Sequence, residues 1–166
     1  DQQGMLGAAV LCARQALVVR VQVHKDACAY MGVPADDYKR APPHPSLCAN
    51  YTWLGELLLD AGDVRGAKGV LLTALALCEV IALEENNHKL CFGRENALMA
   101  LAAAQTALAD CYLRLGGPAN YKRCRPLLQR AYSTRMKYVG VRANCTAHTM
   151  NLQGMLEELE EDWREE

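Results

Sequence analysis

Residues 44–75, HPSLCANYTWLGELLLDAGDVRGAKGVLLTAL, constrain this chain more than any other stretch, because they read as a helical hairpin that cannot stand alone. Tyr51, Leu54, Gly55 and Leu58 fall at i, i+3, i+4 and i+7, one face of a helix. Asp60-Ala61-Gly62-Asp63 interrupts with turn chemistry, and Ala67, Leu71 and Ala74 resume the helical spacing. Gly55, Ala67 and Ala74 are small where two helices must approach closely. A pair of this kind buries its apolar face only against further pairs, so the unit is expected to recur.

It recurs in weaker form. Gln105, Leu108, Ala109 and Tyr112 repeat the first-helix pattern, Gly116-Gly117-Pro118 repeats the turn, and Cys124, Leu128 and Ala131 repeat the second-helix pattern. Ala9, Ala13 and Ala16 match a second helix with no first helix before it. Met150, Gln153, Gly154 and Glu157 match a first helix. The unequal spacing between units implies variable linkers. The spacings predict six helices, at 5–31, 46–61, 63–85, 95–115, 120–139 and 144–163, with Ser46 and Asp63 as caps. Gly66 and Gly69 inside the third fit a close helix crossing or a fraying end. Residues 33–45 read as a loop stiffened by Pro42, Pro43 and Pro45. Asp1 in place of an initiating Met leads us to expect a piece of a longer protein. The fold class that follows is all-α, an antiparallel helix-hairpin superhelix in one domain. It has a partial repeat at 5–31, repeats at 46–85 and 95–139, and a degenerate start at 144–163.

The pattern resembles the tetratricopeptide repeat, whose first helix carries a large residue, Leu-Gly and then Tyr, and whose second carries Ala, a large residue and Ala. Residues 44–75 match it most specifically, residues 105–131 well, and the two ends weakly. His44-Pro45 before the helix and the long second helix ending in Tyr138-Val139-Gly140 resemble the longer repeats of kinesin light chains. Similar repeats form the C-terminal domain of SET-and-MYND methyltransferases, whose catalytic and zinc motifs have no counterpart here. The resemblance implies a non-catalytic scaffold or adaptor, cytoplasmic and in a cytoskeletal or transport complex. It would bind a peptide or helix of a partner on a concave face lined by first helices. The alternative it leaves is a helical accessory domain of a larger enzyme. Projection of that face gives Ala49, Thr52, Glu56 and Leu59, then Ala103, Thr106, Asp110 and Leu113, then Asn151 and Met155, with Trp53 and Arg114 as further partner-binding candidates beside it. Trp53 is either core filler or a groove anchor. Only Asn151 matches the peptide-holding asparagines of kinesin light chains, and the basic clamp for a C-terminal carboxylate is missing.

Catalytic signatures do not accumulate. No phosphate loop, H-E-x-x-H or serine elbow occurs. Neither enzyme activity nor a cofactor is expected. Eight cysteines lie at least 13 residues apart, without metal-ligand spacing, and read as reduced, small core residues. Cys124 has the basic neighbours Lys122, Arg123 and Arg125, but its repeat position points inward. The sequons at Asn50 and Asn144 fall in predicted helix and are taken as chance. Residues 5–23 carry Arg14 and Arg20, which argue against a membrane span.

Charge is distributed unevenly around a net charge of −1. Residues 111–156 hold eight Arg or Lys and no acid, whereas residues 157–166 hold seven acids and one Arg. Either the acidic end folds along the basic helix and screens it, or Lys122, Arg123, Arg130 and Lys137 form a basic patch for an acidic partner. Nucleic acid is disfavoured by sparse aromatics and the negative net charge. Uncapped terminal repeats also suggest self-association.

Overall fold

The computed structural model describes residues 2–37, 43–83 and 93–165. The expected segments at 38–42 and 84–92, with His88 and Cys91, lie outside the described residues. The described chain is all-helical: α1 Gln2–Tyr30, α2 Pro45–Asp60, α3 Val64–Leu83, α4 Gly93–Leu115, α5 Pro118–Tyr138 and α6 Asn144–Glu165. Each helix packs against its neighbours in the chain, and α2 also touches α4 as α4 touches α6. The helices α2, α4 and α6 therefore form one layer of the array.

The start of α2 differs by a residue from expectation. His44, not Ser46, is the N-cap: its Nδ1 accepts from the Ser46 amide at 3.2 Å. Pro45 opens the helix, where a missing N–H costs nothing. Helix α5 likewise starts at Pro118 rather than near Asn120, for the same reason. Asp63 does cap α3, accepting from the Gly66 amide at 2.9 Å. An added Cβ at Gly66 would lie 2.3 Å from that cap carboxylate, so the cap and not a helix crossing accounts for this glycine. Gly69 faces open space and has neither explanation.

The hairpin core follows the pattern of the sequence. Ala67, Leu71 and Ala74 are fully buried, as are Cys124, Leu128 and Ala131. Gly55 is the closest crossing: a Cβ there would stand 2.3 Å from Leu71 Cδ2. One core cluster joins Leu54, Leu58, Leu71, Leu108, Tyr112 and Leu128, and a second gathers Leu47, Cys48, Leu77, Cys78 and Ile81.

Helix α1 is less embedded. It packs mainly on α2 through Ala13, Leu17 and Val21, while Met5, Val18, Val19 and Val23 are more than 60% exposed. Despite Arg14 and Arg20, its span Gln3–Tyr30 is long and apolar enough to cross a membrane by length and composition. Core helices and signal sequences share that property, so it does not by itself place the chain in a bilayer.

Candidate interaction surfaces

The open face of α2 is set by the residues its hairpin leaves over. With Leu54, Gly55 and Leu58 committed to the core, Ala49, Trp53, Glu56 and Asp60 form the exposed stripe at spacings of four, three and four. Trp53 is 48% exposed, which favours its reading as a surface group over core filler. The projected face is therefore rotated by about one residue. Thr52, Leu59, Thr106 and Leu113 are buried, where the inner helices close on one another. They are withdrawn from the lining. The two threonines turn inward and satisfy their hydroxyls locally, Thr52 Oγ1 donating to Cys48 O at 3.1 Å and Thr106 Oγ1 to Ala102 O at 2.8 Å.

Polar groups converge at the C-terminal end of α2 and α4. Arg114 makes a two-pronged pair with Asp110, Nε to Oδ1 and Nη2 to Oδ2, each at 3.0 Å. Its Nη1 reaches across to donate to Leu59 O at 2.9 Å, a terminal carbonyl of α2 that also accepts from the Gly62 amide. The Glu56 carboxyl reaches solvent, yet crowding by the surrounding helices pushes its pKa up. The like charges of Asp60 and Asp110 push the same way, and Arg135 opposes them. Asn151 and Met155 are exposed on α6. The face thus combines an exposed aromatic ring, three carboxylates and one Arg already paired.

The basic set occupies α5. Lys122, Arg123, Arg130 and Lys137 are exposed, and Arg123, Arg130 and Lys137 recur every seven residues along one stripe. Among the described residues the acidic end of α6 reaches α5 through a single ion pair, Glu160 with Arg125. Among the described residues those four bases have no acid within ion-pair distance. Arg123 and Lys68 instead flank the Tyr112 ring, at 6.0 and 5.8 Å from its centroid.

Three features escaped the sequence reading. Arg135 is buried, with Nη1 donating to Cys145 O at 2.6 Å and to Thr149 Oγ1, while Nε has no partner among the described residues. Its place was legible, because the inward stripe Cys124, Leu128, Ala131 continues at spacing four to Arg135. A cleft of about 690 Å³ between α5 and α6 is lined by Tyr121, Pro126, Trp163 and the Arg125–Glu160 pair. His24 Nε2 lies 3.1 Å from Ala35 O and 3.6 Å from Cys28 Sγ, an i, i+4 pairing that ties the loop after α1 to the helix.

The thiols behave as core groups. Cys111 and Cys124 donate to Val64 O and Ala109 O. Burial pushes the Cys124 thiol up to about 12, the opposite of activation by its basic neighbours. A hydrogen bond with Cys78, together with burial, holds the Cys48 thiol far above its ordinary value. Cys12 is exposed. Comparison with protein-family models, characterised proteins and solved structures returns no match.

Proposed function

We propose that the chain is a tetratricopeptide-type array acting as a non-catalytic protein-interaction module. The repeat reading is supported by the paired helices, the Gly55–Leu71 crossing and the fully buried small-large-small sets of α3 and α5. The observation that carries the functional reading is Trp53, a large aromatic held half-exposed on the same face as Glu56 and Asp60. Amphipathic aromatic rings of this kind serve as anchors in recognition surfaces. With carboxylates around it, the face suits an extended basic segment: an apolar side chain against Trp53 and a Lys or Arg toward Glu56 and Asp110. Asn151 and Met155 would extend the track along α6. The setting we propose is a cytoplasmic adaptor in a cytoskeletal or transport complex.

A panel of basic and acidic peptides, each with one apolar anchor, tests this by isothermal calorimetry. Basic peptides bind and acidic ones do not. Trp53→Ala weakens binding by about tenfold or more, the loss of an anchor worth about 2 kcal/mol, with the thermal midpoint unchanged. Equal binding by Trp53→Ala and the parent chain removes this face from consideration.

A further inference from the structure

Helices α1 and α6 each leave one side of the array uncovered, and the two sides are complementary. Inside the array a second helix is flanked by two first helices: α3 lies between α2 and α4, and α5 between α4 and α6. Helix α1 holds a second-helix position, with Ala13 buried where Leu71 stands in α3, but α2 covers only one of its sides. On the other side runs an apolar groove of about 730 Å³, lined by Val19, Val23 and Met31 of α1 and by Pro43 and Leu47 at the start of α2. Val19 and Val23 are 61% and 62% exposed. This is the place a first helix takes against a second helix and the next first helix.

Helix α6 holds a first-helix position with only the second helix of the preceding pair, α5, against it. Met150, Gly154 and Glu157 repeat the spacing of Tyr51, Gly55 and Leu58. At Gly55 an added Cβ would strike Leu71 of the paired helix, whereas at Gly154 it would meet nothing within 4 Å. Met150 is 43% exposed. The two uncovered helices are thus the two halves of one helical pair. They also differ in charge. Helix α1 carries three bases and one acid, with Arg20 and His24 beside the groove, and α6 carries six acids and one base. Unlike charges favour contact between α6 and α1, and like charges oppose contact of either helix with its own copy.

We propose that this chain self-associates head to tail, the open face of α6 in one copy seating in the α1 groove of the next. The partner is a second copy because its α6 presents both features that complement the groove, an open glycine crossing and an acidic surface. A bilayer matches the groove less well. Inserting α1 would strip Ala13 and Cys28 from the core and place Arg14 and Arg20 in hydrocarbon, where charged side chains are costly. A heterologous contact of this kind propagates from copy to copy unless it closes into a ring.

Sedimentation velocity and light scattering on the whole chain, across a range of concentrations, test the proposal. The mass is expected to rise above that of a monomer with concentration. Gly154→Leu blocks the crossing on α6 while favouring the helix itself, and Val19→Glu with Val23→Glu blocks the groove at positions already exposed. Each variant is expected to stay monomeric with unchanged helical circular dichroism. Their equimolar mixture gives a species of twice the monomer mass and none larger, because a single competent pair of faces remains. A parent chain that is monomeric at every concentration overturns the proposal. So does a monomeric chain that floats with phosphatidylcholine–phosphatidylserine vesicles, or a variant that assembles like the parent.

Discussion

Gly55 shows how far one atom matters in this chain. The space for its missing Cβ is taken by Leu71, fully buried in the partner helix. Gly55→Ala should therefore destabilise the fold by about 1–3 kcal/mol, the usual cost of overpacking, despite the better helix propensity of Ala. Leu71→Ala opens a cavity and should cost about 2–5 kcal/mol. The double variant should cost less than the sum, because each change relieves the other. Urea denaturation of the four proteins measures this, and strict additivity would contradict the packing described. The thiols give a second check. Alkylation in the folded state should modify exposed Cys12 first and leave Cys124 untouched until unfolding, as mass spectrometry of the labelled peptides would reveal. Glu56 supplies a pH dependence. Its folded pKa lies above the ordinary 4.5, so the folded state binds this proton more tightly than the unfolded state. Its contribution to stability is fully present below 4.5 and is lost as pH rises through the folded value. Glu56→Gln should flatten that slope and raise the urea midpoint at neutral pH.

At the scale of the element, the existence and order of the helices were legible, because 3.6-residue periodicity and Gly or Pro punctuation act locally. Boundaries shifted by one residue at Pro45 and two at Pro118, where a proline took the first helical position. The facing of the helices was less legible. Thr52 and Thr106 are small and polar, which suits a groove lining, and only the approach of α2 to α4 and of α4 to α6 turns them inward. That approach is tertiary and leaves no local signature. The joint between α5 and α6 makes the same point. Arg135 ties the turn by bonding Cys145 O and Thr149 Oγ1, yet no carboxylate pairs with it among the described residues. Arg135→Ala should cost about 2–4 kcal/mol through lost packing and hydrogen bonds. Arg135→Met keeps the stem volume and removes a desolvated charge, so it should cost much less. Thermal unfolding of both variants distinguishes them, and equal losses would assign the role of Arg135 to its charge.

Across the whole molecule, charge is sorted onto separate surfaces: carboxylates on the α2 and α4 face, bases along α5, acids on α6. Because Arg123, Arg130 and Lys137 are exposed and pair with no acid among the described residues, reversing all three to Glu should change stability by less than about 1 kcal/mol. Urea denaturation measures this, and a larger loss would show that the stripe is paired within the fold. The Arg114 bridge has a mechanical consequence. Its guanidinium grips Asp110 on its own helix and the last turn of α2 at Leu59 O, so it acts as a strut of fixed length between successive inner helices. No equivalent charged strut spans α4 and α6 among the described hydrogen bonds. Among the described residues the array therefore carries a charged brace between α2 and α4 and none between α4 and α6. A load or a long ligand would bend it where α6 meets α4, changing the curvature of the face without opening either hairpin.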